Sequence, residues 1–193
     1  YLPPNMDQEK LALDIIAPEF DDLDLPRHPQ YVGVRGYGIE KFKELFSSRQ
    51  LFALMELSNA LKEIADFAHS KYLEQYGDEF ATRSELLEDA NKYKNAVTTY
   101  LAFIVDRCAD YWSRHGRWQN KNQQLANLFG RHAIPMVWDF PEANPLSGMG
   151  GSFKNLAKWT LQSLATLPSD GVGAVWQCAA QELELESDTV ICT

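Results

Sequence analysis

The chain of 193 residues is long enough for one domain, or one domain with an appendage. Its 45% hydrophobic and 23% charged residues exclude a disordered chain, and no apolar run approaches the roughly 20 residues of a membrane span. The net charge of −9 excludes a free-standing binder of nucleic acid of the usual basic kind, so contact with DNA requires a local patch or a larger body.

"LPPN" opens the chain as a loop. "DQEKLALDII" predicts a short helix that starts on Asp7 as N-cap and buries Leu11, Leu13, Ile15 and Ile16. "APEFDDLDLPRHPQYVGVRGYG" then reads as an extended arm, rich in Pro, Gly and Asp and ending at Gly33, Gly36 and Gly38. Residues 1–38 form this N-terminal unit.

From Ile39 the pattern turns helical and stays so over residues 39–168. "GIEKFKELF" predicts a short amphipathic helix. A long helix follows, capped by Ser47 or Ser48 and ended by Gly77, with a buried stripe of Leu51, Leu54, Leu61, Ala65, Ala68 and Tyr72. A second long helix starts near Thr82 or Ser84 and runs to Trp112. Its stripe is Tyr93, Val97, Tyr100, Leu101, Ile104, Val105, Cys108 and Tyr111. The short acidic connection makes the two an antiparallel hairpin. Glu74, Asp78, Glu79, Glu85, Glu88 and Asp89 mark its tip as a solvated end or a surface for a partner protein. Asp106, Arg107 and Asp110 interrupt the second stripe, either as an ion-paired network in the bundle or facing a substrate channel.

"NKNQQLANLF" predicts a short helix from Asn120 to Phe129 that stops at Gly130. The segment up to Gly151 is a long aromatic loop with Pro135, Pro141 and Pro145, a length that is usually functional. "SFKNLAKWTLQSLATL" predicts an amphipathic helix with Ser152 as N-cap, ended by "PSDG". Residues 169–193 change character, with strands expected at Val172 to Cys178 and in "DTVICT". The fold class is therefore mainly α: a helical hairpin or bundle with a small C-terminal α/β piece, two strands of an incomplete sheet. Cys108, Cys178 and Cys192 are widely spaced in apolar contexts. They read as buried reduced thiols of a cytoplasmic protein, without a metal site.

"YGIEKFKELFSSRQLFAL", "TYLAFIVDRCADY", "LFGRHAIPMVWDFPEANPL" and the terminal "DTVICT" occur in that order. Over roughly residues 32–193 the chain resembles the large adenine-specific DNA methylases that carry a DUF1156 region, often with a zinc ribbon. The resemblance implies a Rossmann-like methyltransferase sheet, S-adenosylmethionine as methyl donor, duplex DNA as partner, N6 of adenine as acceptor, and a role in host defence. It also implies that a DPPYYD-type catalytic motif follows a strand like "DTVICT". On this reading the chain is an internal segment, inactive alone, that carries neither the catalytic motif nor the cofactor's glycine motif. Where such enzymes read "GDAxxL", this chain has "CAAQEL", with Ala179 in the acidic position and Gln181 as an alternative cofactor contact.

Two stretches are candidate sites. In "MVWDFPEANPL", Trp138, Asp139, Phe140, Glu142 and Asn144 suit a pocket for a flipped base or the cofactor, by stacking and edge hydrogen bonds. The alternative is a structural loop whose polar groups cap neighbouring helices. In "RHGRWQNKNQQ" and the residues after it, Arg114, Arg117, Trp118, Lys121 and Arg131 suit DNA, with phosphates neutralised and a base stacked. The alternative there is a solvated loop anchored by Trp118. For the whole chain, the alternative to a methylase segment is a non-catalytic helical module that binds a protein or braces a larger enzyme.

Overall fold

The computed structural model describes residues 3–168. They are mainly helical, with one small antiparallel sheet of two strands, as the pattern of the sequence requires. The strands expected at Val172 to Cys178 and in "DTVICT" lie outside the described residues.

Two long helices dominate. Helix α2 (Ser48–Tyr76) begins at Ser47, whose hydroxyl accepts from the Gln50 N–H while the Gln50 side chain accepts from the Ser47 N–H. Helix α3 (Arg83–Tyr111) begins at Thr82 with the same reciprocal arrangement to Glu85. Such boxes satisfy two of the free N–H groups at a helix start. The pair is antiparallel. Tyr72 bonds Asp89, Lys94 Nζ lies 3.2 Å from Asp66 Oδ1, and Leu54 packs with Ile104 and Cys108. The partners descend in α2 as they rise in α3.

Helix α4 (Phe153–Leu164) is capped by Ser152, as expected, and buries Leu156 against Ile104, Cys108 and Trp112. A second core adjoins the first, with Phe46 packed against both. Leu25, Val32, Val34 and Ile39 from the N-terminal part share it with Leu45 and Leu128. Two 3-10 turns, Gly33–Tyr37 and Phe42–Leu45, bring these residues in. The first closes on Gly38, whose φ of +85° is left-handed and suits glycine.

Three expectations are corrected. Helix α1 is Met6–Leu13, capped by Asn5 rather than Asp7, and buries none of its residues. Leu11, Leu13 and Ile16 are exposed and Ile15 is half-buried. Asn5 wins the cap because Gln8 stands at the position that returns the bond to its N–H. The expected helix at "GIEKFKELF" is only the 3-10 turn Phe42–Leu45. The expected helix Asn120–Phe129 is a hairpin of β1 (Arg117–Gln119) and β2 (Gln124–Ala126), in register Arg117 to Ala126 and Gln119 to Gln124. Gln123 turns the chain at φ +48°. A segment of this length is marginal as a helix, and Asp110 takes the hydrogen bonds of Leu128, Phe129 and Asn127 for itself.

The stripe of α2 holds, with Leu51, Leu54, Ala65 and Ala68 buried. That of α3 holds at Ile104 and Cys108, but Leu86 and Ala90 are buried in place of Tyr93. Tyr93 is exposed and lies against Tyr72, ring centroids 5.0 Å apart. Cys108 is a free thiol whose burial pushes its pKa up to about 12, so it stays protonated at neutral pH.

Candidate functional site

The long loop from Arg131 to Gly151 carries no helix or strand, and its middle docks on the start of α2. Arg49, in the first turn of α2, donates from Nε to both Glu142 oxygens at 2.7 and 2.9 Å, and from Nη2 as well. The partners stand 93 positions apart in sequence. This hydrogen bond to the Glu142 carboxylate raises the Arg49 pKa further above its already high value. Planar guanidinium and carboxylate meet here side by side, the geometry in which such pairs are strongest.

Beside this pair lies a cavity of about 350 Å³, bordered by Arg49, Gln50, Ala53, Trp112, Glu142, Ala143, Asn144 and Pro145. Trp112 forms an apolar wall, held in place by its Nε1–H, which donates to the Gly151 carbonyl at 2.7 Å. Gly151 has φ +83°, and a Cβ there would meet the Ala143 Cβ at 3.2 Å. A glycine is needed for both reasons. Gln50 is only 4% exposed. Its Oε1 accepts from the Ser47 N–H, and its Nε2 is buried without a partner among the described residues.

The residues chosen from "MVWDFPEANPL" separate. Glu142 and Asn144 border the cavity. Asn144 Oδ1 accepts from the Leu146 N–H at 3.0 Å and so also folds the loop. Trp138 stands 76% exposed, edge-on to Tyr37 with centroids 5.1 Å apart. Asp139 is exposed and Phe140 half-buried. Arg49, Gln50 and Trp112 were not among the candidates. The spacing Ser47-x-x-Gln50 was a visible signal for Gln50. Nothing local signals that Arg49 meets Glu142.

The basic candidates are all exposed. Arg117 and Trp118 lie in β1, Lys121 in the turn, Arg114 just before the hairpin and Arg131 after it. Strand alternation puts Trp118 on the face opposite Arg117, so the two do not present one surface. His115, flanked by these arginines, is 2% exposed, and neither ring nitrogen has a partner among the described residues.

Burial, and then the Arg114 charge, lower the His115 pKa. The unfolded chain therefore binds the proton more readily, and stability is full above the ordinary histidine value and falls as pH drops below it. Urea unfolding at pH 7, 6 and 5 is expected to show a slope from this group of at most about 1.4 kcal/mol per pH unit. His115→Phe is expected to flatten that part of the profile. Identical slopes in the two proteins would refute the assignment.

Asp106, Arg107 and Asp110 border a groove with Tyr100, Phe103 and Trp159. Asp110 is buried and committed to structure, accepting from the Phe129 N–H and Asn127 Nδ2 at 2.7 Å each. Arg107 lies 3.8 Å from Asp110 and 5.4 Å from the Tyr111 ring centre. At the hairpin tip, Asp89 holds the Tyr72 hydroxyl and pushes its pKa up to about 12.

Among the described residues no group of His, Cys, Asp and Glu side chains is arranged to hold a metal ion. None of their helices is long and apolar enough to cross a membrane. The glycine-rich turn that S-adenosylmethionine needs follows a strand. Gly148, Gly150 and Gly151 lead into α4 from a loop and not directly from a strand, so they do not form such a turn. Comparison with family models, curated proteins and solved structures finds no match to this chain.

Proposed function

We propose that this chain is the helical segment of an adenine-specific DNA methylase that uses S-adenosylmethionine, and that it supports DNA recognition or the catalytic loop without carrying out the transfer. The observation that carries this reading is the ordered resemblance of four separate stretches, from "YGIEKFKELFSSRQLFAL" to "DTVICT". The exposed positions of Arg114, Arg117, Lys121 and Arg131 support it, because phosphate binding needs solvent-facing cations. Cofactor binding and chemistry belong, on this reading, to other parts of the enzyme. The protein encoded by the whole gene is expected to transfer a labelled methyl group from S-adenosylmethionine to adenine in duplex DNA. An Asp/Asn-Pro-Pro-Tyr-like motif is expected directly after Thr193. A gene that encodes anything else there defeats the assignment.

Arg114→Ala together with Arg117→Ala is expected to weaken duplex binding across all sequences. The slope of log affinity against log salt should fall by about 2, roughly one for each phosphate no longer neutralised. An unchanged slope would remove these residues from the interface. A second reading, a bracing module, is favoured by one specific feature. Glu142 and Asn144 spend hydrogen bonds on fastening the loop to α2 and to itself. Loss of structure, with DNA affinity unchanged, on breaking the Arg49–Glu142 pair would support bracing over recognition.

A further inference from the structure

The cavity beside Arg49 has two unlike ends. One is the start of α2, a helix of 29 residues, where backbone N–H groups and the helix dipole favour negative charge. Arg49 and Gln50 stand there, and the Gln50 Nε2 is a buried donor with no acceptor among the described residues. A buried donor left unmatched is costly, and an arriving acceptor removes that cost. The other end is apolar, formed by Ala53, Trp112, Ala143 and Pro145. The volume of about 350 Å³ falls within the range of small-molecule sites.

The chain already places an anion at this helix start, the carboxylate of Glu142. That side chain is 32% exposed and sits on the loop between Pro141 and Pro145, so it can turn outward into water. We propose that the cavity binds a small organic anion, an oxyanion head on an apolar body, with the head held by Gln50 Nε2 and Arg49 in the place of Glu142. Trp112 and Pro145 then cover the body. The internal carboxylate keeps the arginine paired while the site is free and competes with the ligand for it. This assignment stands on the geometry of the cavity and does not depend on the methylase reading.

Calorimetry on the full chain with phenyl phosphate and with benzoate tests it. At least one of these is expected to bind. Glu142→Gln removes the competing charge and is expected to tighten binding about tenfold, within the range of charge-assisted hydrogen bonds. Gln50→Glu keeps an oxygen for the Ser47 N–H and so keeps the cap, but replaces the free donor with an acceptor. It is expected to weaken binding at least tenfold. If that variant does not fold, Arg49→Met in the Glu142→Gln background takes its place and is expected to lose binding. A short DNA duplex supplies the other source of phosphate. Competition with phenyl phosphate at the Gln50-sensitive site assigns the head to a nucleic-acid backbone, and absence of competition assigns it to a free small anion. Either outcome retains the site. No binding to the wild type or to Glu142→Gln at millimolar ligand overturns the proposal. So does binding that the Gln50 and Arg49 variants leave unchanged.

Discussion

Trp112→Ala is expected to destabilise the chain by about 4 kcal/mol, as large-to-small changes at buried aromatics do. Trp112 is 3% exposed and joins α2, α3 and α4, packing with Leu54 of α2, Ile104 and Cys108 of α3, and Leu156 of α4. Its Nε1–H also supplies the Gly151 carbonyl. Alanine therefore leaves a cavity and an unpaired buried acceptor together. Trp112→Phe separates the two, since it keeps most of the apolar packing and loses the hydrogen bond. About 1–3 kcal/mol is expected for that variant. Denaturant unfolding measures both as shifts in midpoint at constant slope. A loss under about 1 kcal/mol for the alanine variant would mean that α4 does not pack where it is placed. Domains of this kind have only about 5–15 kcal/mol in total, so the alanine variant removes a large share.

Asp110→Ala is expected to cost about 3–6 kcal/mol, because bonds to a charged acceptor are worth about 1.5–3 kcal/mol each and two are lost. The carboxylate accepts from the Phe129 N–H and from Asn127 Nδ2, and the Asp110 carbonyl accepts from the Leu128 N–H. Only the side-chain pair disappears on substitution. Asp110→Asn is expected to lose less than half as much, since its remaining oxygen serves Phe129 and the Asn127 amide can rotate to offer its own oxygen. Hydrogen exchange at the Phe129 amide provides a local readout. Faster exchange there, with α2 and α3 amides unchanged, is the expected pattern. Global acceleration of equal size would mean that Asp110 supports the bundle rather than the segment after β2.

These effects locate what the sequence makes legible. The starts of α2, α3 and α4 are readable because Ser47, Thr82 and Ser152 each bond an N–H three residues on. The decisive bonds lie within one turn, so composition and spacing reveal them. The buried stripe of α2 is legible for a similar reason, because a period of 3.6 residues puts Leu51, Leu54, Ala65 and Ala68 on one face. The stripe of α3 is less so. Which way that helix turns its N-terminal half depends on α2, and Leu86 and Ala90 take the interior while Tyr93 stays outside.

The candidate site divides along the same line. Its loop stands out in the sequence through Trp138, Asp139, Phe140, Glu142 and Asn144, and two of these reach the cavity. Its other half, Arg49, Gln50 and Trp112, comes from the start of α2 and the end of α3 and is invisible until they meet. The same holds for the hairpin at Arg117 to Ala126. Asp110 binds the chain just beyond β2, through Asn127, Leu128 and Phe129, and so competes with the local preference for a helix.

By itself, then, the sequence determines the mainly helical class, the two long helices and their caps, and the long loop between β2 and α4, because those rest on interactions within a few residues. The tertiary structure alone decides that Glu142 lies on Arg49, that Gln50 borders a cavity walled by Trp112 with its Nε2 buried and unpaired among the described residues, and that His115 is sealed from water. Each of these depends on groups distant in sequence, and only the packing of the helices sets how close they come and how much water they lose.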